Sequence, residues 1–425
     1  MRRGSNLPAV GGYNQTLVID LIRRSGDGVS RVELAERSGL SAQTLSNVTR
    51  RLIDEGLVRE AGKVGSGPGK PRTLLQLNAG ARYAVGVHLD PAVITYVVLD
   101  LDGHVVARAR GRTPRGIPPT ETLQRLAASI RDIVSASGVD PARIIGVGIA
   151  SPGPLDAEHG RVFDPPLLEE WHDVPLGDSL AASTGYPVLL EKDVTAAMIG
   201  ENWIDVDDRL RNSMFCYYGT GVGAGLTLEG DIVRGATSNL GNIGHLIVDP
   251  GGPLCRCGKR GCLGDAITPG ALIAEGIARG VLTVTDSEPD PDPTDGAGPT
   301  DATDGAADAV YGALDRLAAA AAAGDPAACD IIDATARRLA RAVLAVVDLL
   351  DLDNVVFGGP VWERLGSVLI DRIATAVRAD PASQTVHTVG FTGSRLGGDV
   401  AAIGAGCLVL DGAFTARPTS LLIDS

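Results

Sequence analysis

The sequence predicts an α/β protein built from a small helical head and a large two-lobed body. Three observations carry this expectation. Apolar residues recur with helical spacing through the first fifty or so positions and change to strand spacing from Ala81 onward. Within the body, an order of three strands, a helix and a further strand occurs twice. Charge divides at the same boundary: residues 1–75 hold 12 Lys and Arg against 7 Asp and Glu, while the remainder holds 26 against 45. A chain of 425 residues, 44% hydrophobic and poor in aromatics, has room for two or three domains around an alanine- and valine-rich core.

The head is read first, as residues 1–78. An apolar helix from about Asn14 to Arg24 carries Leu17, Val18, Leu21 and Ile22. Ser30 and Glu33 form an S-x-x-E capping box with Val29 and Leu34 at the staple positions, so a short helix runs from Arg31 to about Ser38 and ends at Gly39. Leu40, Ser41 and Leu45 repeat the arrangement at once and start another helix. Its buried face is Leu45, Val48, Leu52 and Ile53, which leaves Gln43, Thr44, Ser46, Asn47, Arg50 and Arg51 outward. Two helices joined this tightly, the second presenting amides, hydroxyls and guanidinium groups, make a helix-turn-helix. The stretch LVREAGKVGSGPGKPRTLLQL then reads as two strands around a glycine-rich loop, the wing of a winged helix, with Lys63, Lys70 and Arg72 at its tip. Lys70 and Arg72 flank a stiff Pro71, which suits a narrow, negative minor groove. A basic head on an acidic body points to double-stranded DNA as its partner.

The body is read as residues 79–425. YAVGVHLD, VITYVVLD and HVVARAR are strands, followed by a helix over Glu121–Ser137, a buried strand at Ile144–Ala150 and the loop SPGPLD. SMFCYYG, GAGLTLEG, DIVRG, NVVFGG, a helix from about Trp362 to Val377, TVGF and a helix from Val400 repeat the order. Such duplication predicts the ribonuclease H-like or actin-like ATPase architecture, with ligands in the cleft between lobes. Residues 286–308 hold eight acidic groups, no basic ones and four prolines, which predicts a disordered insertion. No run approaches the length of a membrane span, and a cytoplasmic location is expected.

His245 precedes a C-x-C-x4-C cluster, Cys255, Cys257 and Cys262, within a glycine-rich loop that has little apolar material to order it. One His and three Cys complete a tetrahedral zinc site and leave no open position, so the zinc expected here is structural. Cys216, Cys329 and Cys407 stand alone and read as core residues or free thiols.

Together these motifs resemble the ROK family, specifically its winged-helix transcriptional regulators. The resemblance runs through the head, GTGVGAG at Gly219–Gly225, the zinc segment, GDPAA at Gly324–Ala328 and VVFGGPV at Val355–Val361. It implies a sugar-binding body, a zinc held by His245 and the three cysteines, a homodimer or homotetramer, and DNA binding switched by a sugar, a sugar phosphate or a sugar acid. Kinase members need a D-x-G-G-T phosphate turn; here LDPAVIT keeps Asp90 but places Pro91, Ala92 and Val93 in the turn, which argues against an enzyme. The sugar contacts the resemblance implies fall on Lys192 (where the family has Asn), Asp193, Asn242 (where it has Glu) and His245, with Gly153 of the SPGPLD loop beside them. The Glu after the last cysteine is Gly264, with Asp265 one place late. These exchanges make the pocket more positive and predict an anionic ligand. The reading is a sequence-specific repressor of carbohydrate-related genes; the alternatives are an ATP-dependent sugar kinase and a regulator without a small effector.

Overall fold

The computed structural model describes residues 7–64, 72–114, 116–165, 171–283, 305–381 and 387–415. The head comprises α1 (Leu7–Arg23), β1 (Val29–Ser30), α2 (Arg31–Ser38), α3 (Ala42–Asp54), β2 (Val58–Val64) and β3 (Arg72–Leu77), with the strands in the order β1-β3-β2. Local signals set most of these boundaries. Both halves of the Ser30–Glu33 capping box form, and Gly39 ends α2 in the left-handed conformation at φ 67°, which a residue with a Cβ adopts at a cost. Ser41 caps α3 by accepting from the Thr44 amide. Helix α1 starts two turns before the expected Asn14, running through Gly11 and Gly12.

The first lobe contains β4 (Tyr83–Leu89), β5 (Val93–Asp100), β6 (Val105–Arg112), α4 (Pro119–Ser137), β7 (Ile144–Ser151), β8 (Leu155–Asp156), β9 (Arg161–Val162), α5 (Leu176–Thr184) and β10 (Val188–Lys192). Helix α6 (Asp193–Ile204) leads to the second lobe: β11 (Ser213–Tyr218), β12 (Val222–Leu228), β13 (Asp231–Val233), α7 (Leu263–Ala266), α8 (Pro269–Ala278), α9 (Gly305–Ala322), α10 (Pro326–Leu350), β14 (Asn354–Gly358), α11 (Pro360–Ala379), β15 (Gly390–Gly393) and finally α12 (Val400–Phe414). The two main sheets repeat one plan. The first has the order β10-β7-β4-β5-β6 and the second β13-β12-β11-β14-β15, each a three-strand antiparallel meander extended by two parallel strands.

Helices α6 and α12 fill the space between the sheets, and glycines decide how closely. A Cβ on Gly86 or Gly148 would lie 2.0 or 1.8 Å from a carbonyl oxygen of α12, and one on Gly225 2.3 Å from the Val194 carbonyl of α6. One on Gly404 would lie 1.8 Å from the Ala196 carbonyl, so α6 and α12 cross backbone to backbone. Helix α12, the last among the described residues, therefore packs on the first large sheet.

Two expectations change. The acidic stretch expected to be disordered to 308 is ended earlier by α9, which begins at Gly305; residues 284–304 lie outside the described residues. The expectation that no run approaches a membrane span also fails, because Gly397–Phe414 is long and apolar enough. Those residues are mostly buried, since α12 is the core helix on which both lobes close.

The head does not hang free. Val18, Ile19 and Ile22 of α1 and Leu34, Leu45 and Leu52 of α2 and α3 share one apolar cluster with Leu101, Ile199, Trp203, Ile403 and Leu410 of the body. Arg23 lies over the Trp203 ring, 3.9 Å from its centroid, and donates to the Trp203 carbonyl. Arg24 reaches the Asp205 carbonyl and, at 3.6 Å, the Asp208 carboxylate.

Candidate functional site

The first surface is the outward face of α3. Leu45, Thr49 and Leu52 are buried against the head core, which turns Gln43, Asn47 and Arg50 to solvent and leaves Thr44 and Ser46 half-buried beside them. The Gln43 amide donates to Asn47 at 3.4 Å, and Thr44 shares a hydrogen bond with the capping Ser41. Arg51 is exposed but held by Glu55 at 2.8 Å, and Glu55 is in turn held by Gln15 of α1. That pair orients the far side of α3, so Arg51 is less available to a base edge than Arg50. At the wing, Lys63 and Arg72 are exposed on the paired strands β2 and β3, whereas Lys70 lies outside the described residues.

The second surface is a cavity of about 310 Å³ in the cleft between the lobes. It brings together all five ligand residues expected from the sequence, Gly153, Lys192, Asp193, Asn242 and His245, and adds Asp90, Tyr217, Thr220, Arg256 and Asp265 to its wall. Lys192 ends β10 and Asp193 begins α6, so strand and helix deliver the pair to one spot. Asp193 is not the helix cap; its carboxylate accepts from the Val194 amide. It keeps a little surface open to the cavity, yet burial pushes its carboxyl above the usual range, opposed by His88 and Lys192.

Lys192 corrects one expectation. Its ammonium donates to the carbonyls of Asn239 (3.0 Å) and Leu240 (2.9 Å), and burial lowers its pKa. The charged residues lining the cavity are Lys192 and Arg256 against Asp90, Asp193 and Asp265. The Lys192 ammonium thus already has backbone acceptors, while Arg256 is exposed on the wall, so the expected anionic ligand rests on Arg256 more than on Lys192.

The cleft lacks a phosphate cradle at the β4–β5 turn. The Asp90 carboxylate accepts from the Ala92 amide (2.8 Å) and from the Thr220 hydroxyl (2.9 Å) across the cleft. Pro91 has no amide hydrogen, so of the turn's two donors one is missing and the other is engaged. At the start of α12, Glu363 accepts from the Gly398 amide at 2.5 Å, and Asp399 is paired with Arg108 (2.7 Å) and Arg110 (2.6 Å). The protein's own carboxylates occupy that helix N-terminus.

Beside the cavity, His245, Cys255, Cys257 and Cys262 present ligand atoms all within 4.8 Å of one another. Cys255 Sγ lies 3.5 Å from His245 Nδ1, and Cys257 Sγ 3.6 Å from Cys262 Sγ. A tetrahedral zinc with bonds of about 2.0–2.3 Å has ligand-to-ligand edges of roughly 3.5–3.8 Å, so the set fits that ion. Backbone geometry closes the loop: a Cβ on Gly261 would lie 1.5 Å from the Asp249 carbonyl, which only glycine permits. Cys216 and Cys407 are buried and Cys329 half-buried, all as free thiols.

Sequence reasoning missed Tyr217 of the cavity wall and His88 packed behind it. His88 is buried on β4 and meets the Tyr217 ring edge-on at 6.0 Å. Tyr217 is 4% exposed, and no motif marked it.

Comparison with known proteins gives the family. The ROK family pattern matches residues 84–412, and the MarR family pattern residues 12–65. The xylose repressor of Bacillus subtilis is 30% identical over 59% of this chain; the match covers 64% of that repressor, less than two thirds of its length. The glucokinase of Thermotoga maritima is 29% identical over 76% of this chain and 96% of its own. The DNA-binding transcriptional dual regulator NagC of Escherichia coli is 25% identical over 88% of this chain and 86% of its own. Among solved structures, a ROK family transcriptional regulator, a homologue of the E. coli MLC protein, covers 96% of this chain and 98% of its own at 24% identity with a TM-score of 0.74, which shows a shared fold.

Proposed function

The chain belongs to the ROK family, and from that premise we propose that it is a cytoplasmic, sequence-specific transcriptional repressor of carbohydrate-related genes, released or recruited by a sugar. One observation carries the proposal: a winged helix that leaves Gln43, Asn47 and Arg50 exposed on α3 shares an apolar core with a body holding a cavity of about 310 Å³ lined in part by Asp90, Lys192 and Asp193. A kinase has no use for the first feature. Relatives named as a xylose repressor and as a DNA-binding transcriptional dual regulator support the reading.

In this reading α3 enters the major groove, where Gln43, Thr44, Ser46, Asn47 and Arg50 address base edges, and Lys70 and Arg72 follow the minor groove. Two copies, as a dimer or within a tetramer, set the spacing of two half-sites. The sugar sits among Gly153, Lys192, Asp193, Asn242 and His245. Zinc, held by His245, Cys255, Cys257 and Cys262, cross-links the loop that carries Asn242, His245 and Asp265 into the cavity wall. The chain is not an enzyme in this account, because the engaged Asp90 and Pro91 leave the turn no donors for a transferred phosphate.

Coupling has a visible route. Helix α6 begins at Asp193 in the cavity and, one residue before its end, sets Trp203 against Arg23 of the head. A ligand that binds two positions of α6 with different affinity shifts the head by that difference.

The test is fluorescence anisotropy with DNA from upstream of its own gene at about 0.15 M salt, with xylose, glucose and N-acetylglucosamine added in turn. Binding that survives excess nonspecific DNA and changes with one of these sugars supports the proposal. Binding indifferent to every sugar favours a regulator without a small effector.

A further inference from the structure

The Tyr217 hydroxyl is buried and has no hydrogen-bond partner, yet its side chain lines the cavity. The ring is held from three sides. His88 packs edge-on against it at 6.0 Å; a Cβ on Gly219 would meet its Cε1 at 2.7 Å and its Oη at 3.0 Å; and one on Gly359 would meet its Cε2 at 3.2 Å. A buried hydroxyl left unpaired costs about 1–3 kcal/mol, so this group is stabilised only when something in the cavity accepts its proton.

The neighbours restrict what that something is. Burial, and then the negative charges of Asp90 and Asp193, hold the phenol well above its ordinary pKa, so it is a neutral donor. A phosphate or carboxylate placed there would accept from Tyr217 but face two carboxylates. A hydroxyl accepts from the phenol and can donate to a carboxylate, satisfying both sides.

On the sugar-responsive reading above, we propose that Tyr217 is a specificity-determining residue of the effector site, donating to a hydroxyl oxygen of the ligand and selecting a neutral sugar over its phosphorylated or oxidised form. The position lies outside every motif that marked the pocket. It makes the cavity's second lobe a direct reader of the ligand, opposite Lys192 and Asp193.

The test compares the full chain with Tyr217→Phe, using xylose, glucose, N-acetylglucosamine, their phosphates and the corresponding uronic acids in calorimetry and thermal unfolding. The wild type should bind one neutral sugar in preference to its charged forms. Tyr217→Phe should leave the ligand-free Tm unchanged or slightly raised, because no protein hydrogen bond is lost, and should weaken binding of that sugar by about tenfold. One monodeoxy analogue of the sugar should bind the wild type about tenfold more weakly than its parent, while Tyr217→Phe no longer distinguishes the two. Equal affinity in both proteins, a lower ligand-free Tm in the variant, or preference of the wild type for a charged form overturns the proposal and leaves the sugar reading standing. If no compound binds the wild type, the sugar reading falls as well.

Discussion

Replacing Trp203 separates packing from communication, because this residue is where the body touches the head. It is 3% exposed, donates its indole N–H to the Asp102 carbonyl at 3.1 Å, and carries the Arg23 guanidinium 3.9 Å from its ring centroid. Truncation to Ala removes a buried aromatic and should cost about 3–5 kcal/mol of stability. Leucine keeps much of the apolar volume but no ring, so Trp203→Leu is the sharper variant. Combined with Arg23→Met in a double-mutant cycle, it should reveal a coupling of about 1–2 kcal/mol, the strength of a partly desolvated cation–π contact. Urea unfolding followed by circular dichroism measures this. The same Trp203→Leu protein should still bind the operator but respond less to the sugar, since α6 would no longer end on the head. A coupling below about 0.3 kcal/mol together with an undiminished sugar response would refute the idea that α6 links cavity and head.

Three other outcomes follow from the geometry. Cys257→Ser should lower zinc from about one ion per chain, by atomic emission, and reduce Tm by roughly 5 °C or more as the Cys255–Cys262 loop loosens. Asp193→Asn bears on pH. Burial raises this carboxyl in the fold, so the native state binds the proton more tightly than the unfolded chain does, and stability falls as pH rises from the ordinary aspartate value through the raised one. The variant should therefore be the more stable protein at pH 8, with the difference vanishing below about pH 4, in thermal scans across that range. Arg50→Ala should weaken operator binding by about 1–3 kcal/mol and relax specificity at one base pair, whereas Arg51→Ala, whose side chain is held by Glu55, should cost less in the same anisotropy assay.

What could be read in advance follows the range of the interactions involved. Helices α2 and α3 announce themselves within four residues, through Ser30 with Glu33, Gly39 and Ser41, and the structure keeps those limits. The zinc ligands fall within eighteen positions and converge. Helix α1 starts before the apolar repeat of Leu17, Val18, Leu21 and Ile22 that predicts it, running through Gly11 and Gly12, residues that more often interrupt a helix. Helix α6 has little amphipathic period to detect: it is buried between the second sheet and α12, so nearly every position is apolar or small. Residue type at position 192 was legible but direction was not, because the Asn239 and Leu240 carbonyls that turn the ammonium aside are 47 and 48 residues away. Likewise Arg23 and Trp203, 180 residues apart, show no local sign of meeting. That joint also bears on dissection of the protein. A fragment ending near residue 78 would lose Leu101, Ile199, Trp203, Ile403 and Leu410 from the apolar cluster that the head now shares with the body.

Control of the head by the cavity is the central claim. Anisotropy of the full chain on its upstream DNA at about 0.15 M salt, titrated with a neutral sugar, measures this directly. Specific binding at about 10 nM or tighter, at least a thousandfold above nonspecific DNA and shifted by one sugar, is the predicted result. Binding no tighter to that fragment than to random sequence, with any sugar or none, would contradict it.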